Sequence, residues 1–277
     1  MSESVLDRIV ADVRRRLDEI PEHPGLVEAA RAAAATRRER GLRSLREALS
    51  GPGPAVIAEC KKASPSAGII RADFDPVALA RAYAEGGAAA ISVVTEPAYF
   101  SGDPEWLAVI RRVVDLPVLR KDFLVTRSQL HESAVLGADA VLLISRILDR
   151  ETLAELLATA SELDIEVLLE IFADEDPESA VASGAEIIGV NARYLATFET
   201  RLDLVEAMAS QLPKDRVRVA ESGLRGFADL QRLSDAGYDA FLVGEHLVRS
   251  EDPAAAVREL VGHGRGQGQG HGDGPAC

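Results

Sequence analysis

The sequence predicts a single (β/α)8 barrel preceded by an N-terminal helical extension. Three observations lead there. Short apolar runs and helical stretches alternate eight times, with run ends roughly 21 to 36 residues apart, the length of one strand, one helix and two loops. The apolar share is 47%, carried by Ala, Val, Leu and Ile with only 4% aromatic residues, as buried parallel strands under helices require. At 277 residues the chain is long enough for one barrel of ordinary size. Strict strand–helix alternation means a parallel sheet, and eight strands close one into a barrel; a doubly wound open sheet is the competing arrangement.

In order, residues 1–19 read as a helix with Val5, Ile9 and Val13 on one face, and the Ala- and Arg-rich 26–40 as a second. Residues 1–50 are too short for a core of their own, so they are expected to pack on the barrel as an extension. Strands are expected at 55–59, 89–95, 118–121, 140–145, 166–170, 187–191, 217–221 and 240–244. Helices are expected at 76–85, 104–113, 128–136, 150–163, 175–183, 202–211, 227–235 and 253–261. Asp75-Pro76 and Asp103-Pro104 pair an N-cap with a first-turn proline, and Gly86, Gly137, Gly184 and Gly237 stand at helix stops. This TIM-barrel unit spans 51–262. The glycine-rich 263–277 reads as a disordered tail, its His263 and His271 as ordinary tail composition.

The net charge of −14, from 31 basic and 45 acidic residues, argues against a nucleic-acid partner. It does not exclude an anionic substrate, because a phosphate site is local and can be built from backbone N–H groups. Two cysteines, Cys60 and Cys277, make no disulfide scaffold and suit a reducing cytoplasm. The polar start lacks a signal-peptide core and no window suits a membrane span, so a soluble protein without a membrane partner is expected. With no obvious partner module, a monomer is the simplest assembly.

Chemistry in such a barrel gathers at the C-terminal ends of the strands. The residues there are Glu59 with Lys61, Thr95, Lys121, Ser145, Glu170, Asn191 with Arg193, Glu221 with Ser222, and Gly244. One charged strand end can simply mark where solvent begins, but charged or amide ends on strands one, three, five, six and seven point to a site. Side chains alternate along a strand, so Glu59 and Lys61 share a face and Cys60 takes the other. Phe123 shares the face of Lys121, and an ammonium beside an aromatic wall is expected to have a lowered pKa suited to a general acid. Arg120 and Asp122 are expected to pair in the helix layer. Three glutamates could ligate a metal, but two lysines in the same volume, and no strand-end histidine except His246, favour a mixed acid–base cluster without metal or cofactor. Glycines in Glu221-Ser222-Gly223 and Val243-Gly244-Glu245, with Ser64 in the turn after strand one, mark the loops where this barrel holds phosphate.

These segments resemble indole-3-glycerol phosphate synthases. The resemblance lies in Ile57-Ala58-Glu59-Cys60-Lys61-Lys62-Ala63-Ser64-Pro65-Ser66, Ile91-Ser92-Val93-Val94-Thr95-Glu96, Pro117-Val118-Leu119-Arg120-Lys121-Asp122-Phe123, Gly189-Val190-Asn191-Ala192-Arg193 and Ala220-Glu221-Ser222-Gly223. Asp73-Phe74-Asp75-Pro76 and Val243-Gly244-Glu245 extend it, in one order over residues 3–261. The resemblance implies a carboxy-lyase of tryptophan biosynthesis that needs no cofactor. It would convert 1-(2-carboxyphenylamino)-1-deoxyribulose 5-phosphate to indole-3-glycerol phosphate by ring closure, decarboxylation and dehydration. Mapped onto that reaction, Lys121 would be the general acid. Lys61 would pair with the substrate carboxylate, and Glu59 would serve as base or relay. Glu170 would stabilise charge on the anilino nitrogen or shuttle a proton, Asn191 and Glu221 would hold sugar hydroxyls, and Arg193 would orient its charged neighbours. Ser64, Ser222, Gly223, Gly244 and Glu245 would take the phosphate, and Phe123 would wall the substrate.

The chain departs from the family pattern at Ala67, at Phe100-Ser101-Gly102-Asp103, at Ile171-Phe172 after Glu170, and at His246. Two rivals remain. Another phosphate-binding barrel isomerase, phosphoribosylanthranilate isomerase or a histidine-pathway sugar isomerase, would use cysteine/aspartate or paired aspartates where this chain has Glu59 opposed by Glu170. A catalytically silent barrel would not need so complete a constellation.

Overall fold

A computed structural model describes residues 4–19, 23–193 and 199–262; the expected 263–277 tail lies outside them. Eight parallel strands close a barrel: β1 Ala55–Cys60, β2 Ala90–Val94, β3 Val118–Lys121, β4 Ala140–Ile144, β5 Glu166–Phe172, β6 Ile187–Asn191, β7 Val217–Glu221 and β8 Ala240–Val243. Each pairs with its successor, and β8 returns to β1 through Ala55↔Ala240 to Ala58↔Val243. The open-sheet alternative is thereby removed.

The two-residue period of the strands sorts their side chains into two cores. Ile57, Leu119, Leu142, Leu168, Val219 and Leu242 fill the barrel interior. Val56, Ile91, Val141, Val190 and Phe241 pack outward with the helix shell. The parity of the interior residues decides the site, because Glu59, Lys121, Glu170 and Glu221 each lie two positions beyond an interior residue of the same strand. Cys60 takes the other face and is buried in the outer core, as its position predicts.

The N-terminal helices Val5–Glu19, Leu26–Arg40 and Leu45–Leu49 bear on the barrel at both ends. Leu45 and Leu49 are fully buried in the interior cluster, and Leu6 joins the same cluster. Glu166, at the start of β5, anchors the short third helix by accepting from Ser44 Oγ (2.9 Å) and from the Leu45 and Arg46 N–H groups. The buried Arg37 guanidinium donates to the carbonyls of Ala138 and Leu163, which fixes the second helix to the loops before β4 and β5.

Several boundaries differ from expectation, each for a local reason. The stop after helix Pro76–Gly86 is Gly87, which takes the left-handed φ of 91°; Gly86 is helical and lies against the last helix, Pro253–Leu260. Asp75 does cap its helix, through Val77 N and Ala78 N, whereas Pro104 precedes a helix that starts at Glu105. β5 runs on to Phe172 because its last residues pair with Val190 and Asn191. Glu175 therefore does not start the next helix, Glu178–Ala182; it accepts from Phe172 N at 3.0 Å. A small hairpin, Ala63–Ser64 with Gly68–Ile69, and a helical turn, Pro97–Phe100, follow β1 and β2 unannounced by periodicity.

Candidate active site

Of the residues expected in a site, Glu59, Lys61, Ser64, Lys121, Phe123, Glu170, Asn191, Arg193, Glu221, Ser222, Gly223, Gly244 and Glu245 line one cavity of about 560 Å³ at the C-terminal end of the barrel. Thr95 and Ser145 do not. Thr95 Oγ1 donates to Asp122 in the outer layer, and Ser145 Oγ donates to Glu175 at 3.2 Å. Arg120 pairs with Asp122 at 3.1 Å in the same outer layer and with Glu132 at 2.7 Å, the structural use expected of it.

Two ion clusters occupy the cavity floor. Lys121 Nζ donates to Glu170 Oε2 at 3.1 Å and to Glu221 Oε2 at 3.0 Å, so β3, β5 and β7 meet at one ammonium. Lys61 Nζ donates to Glu59 Oε1 beside them. Glycines make room for both carboxylates. A Cβ on Gly189 of β6 would lie 2.2 Å from Glu221 Oε1, and one on Gly244 would lie 2.1 Å from Glu59 Oε1. Glu221 Oε1 is buried without a hydrogen-bond partner among the described residues, which leaves an acceptor position open to a ligand. Asn191 Oδ1 accepts from Arg193 N at 3.0 Å, and Arg193 Nη1 donates to Ser66 Oγ at 3.2 Å, joining the β6 loop to the hairpin after β1.

Electrostatics correct one expectation. Burial alone would push the Lys121 ammonium down, as its aromatic neighbour suggested. The carboxylates of Glu170, Glu221 and Glu59 outweigh burial and push its pKa up. Burial pushes the Glu221 carboxyl up to about 8, opposed by Lys121 and reinforced by Glu170. Glu59 shifts the other way: burial works against its ionised form, but Lys61 and Lys121 hold its pKa below the ordinary carboxylate value. The site thus holds carboxyl groups of opposite tendency a few ångströms apart. Among the described residues no group of three His, Cys, Asp or Glu side chains is placed to hold a metal ion.

The rest of the cavity divides by chemistry. On the β7 and β8 side, Ser222 (φ 70°) and Gly223 (φ 76°) are consecutive left-handed residues, and Gly244, His246, Arg225 and Arg249 stand near them on the wall. On the β2 to β5 side the wall is apolar: Phe100, Phe123, Leu142, Ile144 and Phe172. Phe100 and Phe123 lie 6.0 Å apart, centroid to centroid. Sequence reasoning missed most of this apolar wall. It also missed the cover, where Val5, Leu6 and Ile9 of the first helix close over the cavity. The apolar stripe of that helix was visible, but not its destination. The helix is held by Arg16, which donates to the fully buried Glu96 at 2.7 Å, and by Asp12, which accepts from Tyr99 Oη.

Comparison with known proteins follows the same geometry. Among solved structures, a thiamine phosphate pyrophosphorylase from Pyrococcus furiosus matches with a TM-score of 0.58 at 18% identity, over 78% of this chain and 96% of that one. A 3-hexulose-6-phosphate synthase matches with a TM-score of 0.59 at 16% identity, over 75% and 98%. At such identities the likeness is one of fold. Sequence relatives are much nearer. The indole-3-glycerol phosphate synthase of Mycobacterium ulcerans is 44% identical over 261 residues, covering 94% of this chain and 95% of its own. That of Sulfurimonas denitrificans is 48% identical over 205 residues, covering 74% and 78%. The family model described as indole-3-glycerol phosphate synthase matches residues 6–260, and with that span and these relatives the chain belongs to the indole-3-glycerol phosphate synthase family.

Proposed function

We propose that this cavity converts 1-(2-carboxyphenylamino)-1-deoxyribulose 5-phosphate to indole-3-glycerol phosphate, the ring-forming step of tryptophan biosynthesis. The observation that carries the reading is the Lys121 ammonium between Glu170 and Glu221, beside Glu59–Lys61, in a cavity with one apolar wall and one polar wall. The substrate has the same polarity: an arylamine at one end and a phosphate at the other. The phosphate seats at Ser64, Ser222, Gly223, Gly244 and the Glu245 backbone, where left-handed Ser222 and Gly223 allow close approach of main-chain N–H groups. The aryl ring lies against Phe123 and its apolar neighbours, with its carboxylate paired to Lys61.

Ring closure joins the carboxylate-bearing ring carbon to the ribulose ketone carbon. Lys121 delivers a proton to the ketone oxygen as that bond forms. Its neighbours keep it charged at neutral pH, so the proton is always present, and the developing alkoxide is basic enough to take it even from a strengthened ammonium. Glu170 offsets the positive charge that grows on the anilino nitrogen. Carbon dioxide leaves next and restores the electron pair to the ring. Dehydration then expels the former ketone oxygen as water, Lys61 protonating the leaving hydroxyl and Glu59 taking a proton from the neighbouring methylene carbon, so that the indole double bond forms. Glu221 and Asn191 hold the sugar hydroxyls, and Arg193 steadies Asn191 and the hairpin after β1.

No helix of the described residues is long and apolar enough to cross a membrane. A cytoplasmic monomer, built as a 1–50 extension, a 51–262 barrel and a 263–277 tail, completes the reading. The test is to supply the substrate to purified protein and follow indole fluorescence and carbon dioxide release. Equal amounts of both products support the reading, and folded protein that binds substrate but releases neither overturns it.

A further inference from the structure

Phe172 stands where β5 runs two residues past Glu170, so the two side chains share the inward face of the strand. The ring is buried and lines the apolar side of the cavity. Over it lies the guanidinium of Arg146, 4.4 Å from the ring centroid, from the turn that follows β4. Arg146 is not free to leave that position. Its Nη2 donates to Asp174 Oδ1 at 2.7 Å and its Nε donates to Glu175 Oε1. The other oxygen of Glu175 accepts from Phe172 N at 3.0 Å and from Ser145 Oγ at 3.2 Å, so one carboxylate fixes both the ring's backbone and the cation above the ring. None of these polar groups lines the cavity, and the proposed mechanism uses none of them.

Two physical effects follow. A planar guanidinium held by a carboxylate fork restricts the ring's orientation, so a ligand meets a wall already set in place. The cation also draws on the negative π face of the ring, which makes that ring a better stacking partner for an electron-rich aromatic group. An arylamine is such a group, because its nitrogen lone pair enriches the ring. We propose that Arg146 is a positioning residue for the aryl end of the substrate, acting through the Phe172 ring that it holds and polarises. This rests on the reading of the cavity given above.

The test is a double-mutant cycle of Arg146→Met and Phe172→Leu in a Lys121→Met background, where bound substrate is consumed at least 10²-fold more slowly. Calorimetry gives Kd for the carboxyphenylamino-deoxyribulose phosphate and, separately, for inorganic phosphate. Arg146→Met should weaken substrate binding about fivefold, the effect expected of a partly desolvated cation–π contact, with phosphate binding unmoved. Arg146→Lys, which keeps a cation but loses the planar fork, should recover part of the loss. In Phe172→Leu protein, Arg146→Met should cost nothing further. Additive losses in the two substitutions, or equal weakening of inorganic phosphate, would show that Arg146 merely ties two loops together and would overturn the proposal. Because the cycle reads binding, its result is independent of turnover. Absence of indole product from otherwise wild-type protein would sink the proposed function, whereas a null cycle would sink only the role of Arg146.

Discussion

Lys121→Met gives the sharpest test of the chemistry. The side chain keeps its reach and loses its ammonium, which in the wild type donates to Glu221 at 3.0 Å and to Glu170 at 3.1 Å. Two costs must be kept apart. Loss of a positioned general acid slows the chemical step by about 10²- to 10⁴-fold, or roughly 3 to 5 kcal/mol of activation free energy. Loss of the cation also leaves two buried carboxyls facing each other. Removing one partner of a buried pair can cost about 3 to 5 kcal/mol when a charge is left uncompensated. Here the cost is smaller, because burial already pushes Glu221 up to about 8 and brings its neutral form within reach. The variant should therefore fold, bind substrate within a few-fold of wild type through the phosphate loops, and turn over at least 10²-fold more slowly by the general-acid argument. Single-turnover fluorescence of the indole product separates binding from chemistry. Lys121→Arg supplies the control, since a guanidinium replaces the charge but does not give up a proton at accessible pH. If Lys121→Arg restored the rate, Lys121 would be a charge clamp rather than an acid. A Lys121→Met rate within tenfold of wild type would refute the role outright.

Further outcomes follow from the same geometry. Glu221 keeps its proton to about pH 8 when folded, against 4.5 for the free group, so the native state binds the extra proton and stability falls as pH rises through that window. Urea unfolding of Glu221→Gln at pH 5 and pH 8 should show a smaller drop than wild type; an equally steep drop would contradict the assignment. Gly244→Ala places a methyl 2.1 Å from Glu59 Oε1 and 3.0 Å from Lys61 Nζ, so that pair must move. A displacement near 1 Å costs on the order of 10²-fold in kcat, with little change in Tm, and a kcat within threefold of wild type would count against the pair's role. Gly86→Ala meets backbone, 2.6 Å from Ala254 O, together with Val257 Cβ at 2.7 Å. Overpacking there should cost about 1 to 3 kcal/mol in urea unfolding, and undiminished stability would show that the two helices can separate freely.

How much of this was legible in the chain depends on distance along it. The barrel and the inward direction of Glu59, Lys121, Glu170 and Glu221 follow from strand period alone, since Ile57, Leu119, Leu168 and Val219 set the parity two residues earlier. The roof was not legible, because the stripe of Val5 and Ile9 says that the helix packs but not on what. Phe172 was also missed, since its extension of β5 depends on pairing with Asn191. The pKa of Lys121 was read in the wrong direction for a related reason. Phe123 is a near neighbour in sequence and argues for a fall. Glu59, Glu170 and Glu221 arrive through space from three other strands and reverse it.

Closure of the ring of strands has a consequence for the order in which the molecule can be made. β1 finds β2 soon after it leaves the ribosome, but its other edge waits for β8, the last strand of the sheet. Arg37 likewise exists long before its acceptors, the carbonyls of Ala138 and Leu163. The second helix therefore cannot make those bonds until both loops have emerged. The exposed edge of β1 persists until residue 243 has emerged. Chain growth is linear, whereas the ring closes only when its last strand meets its first.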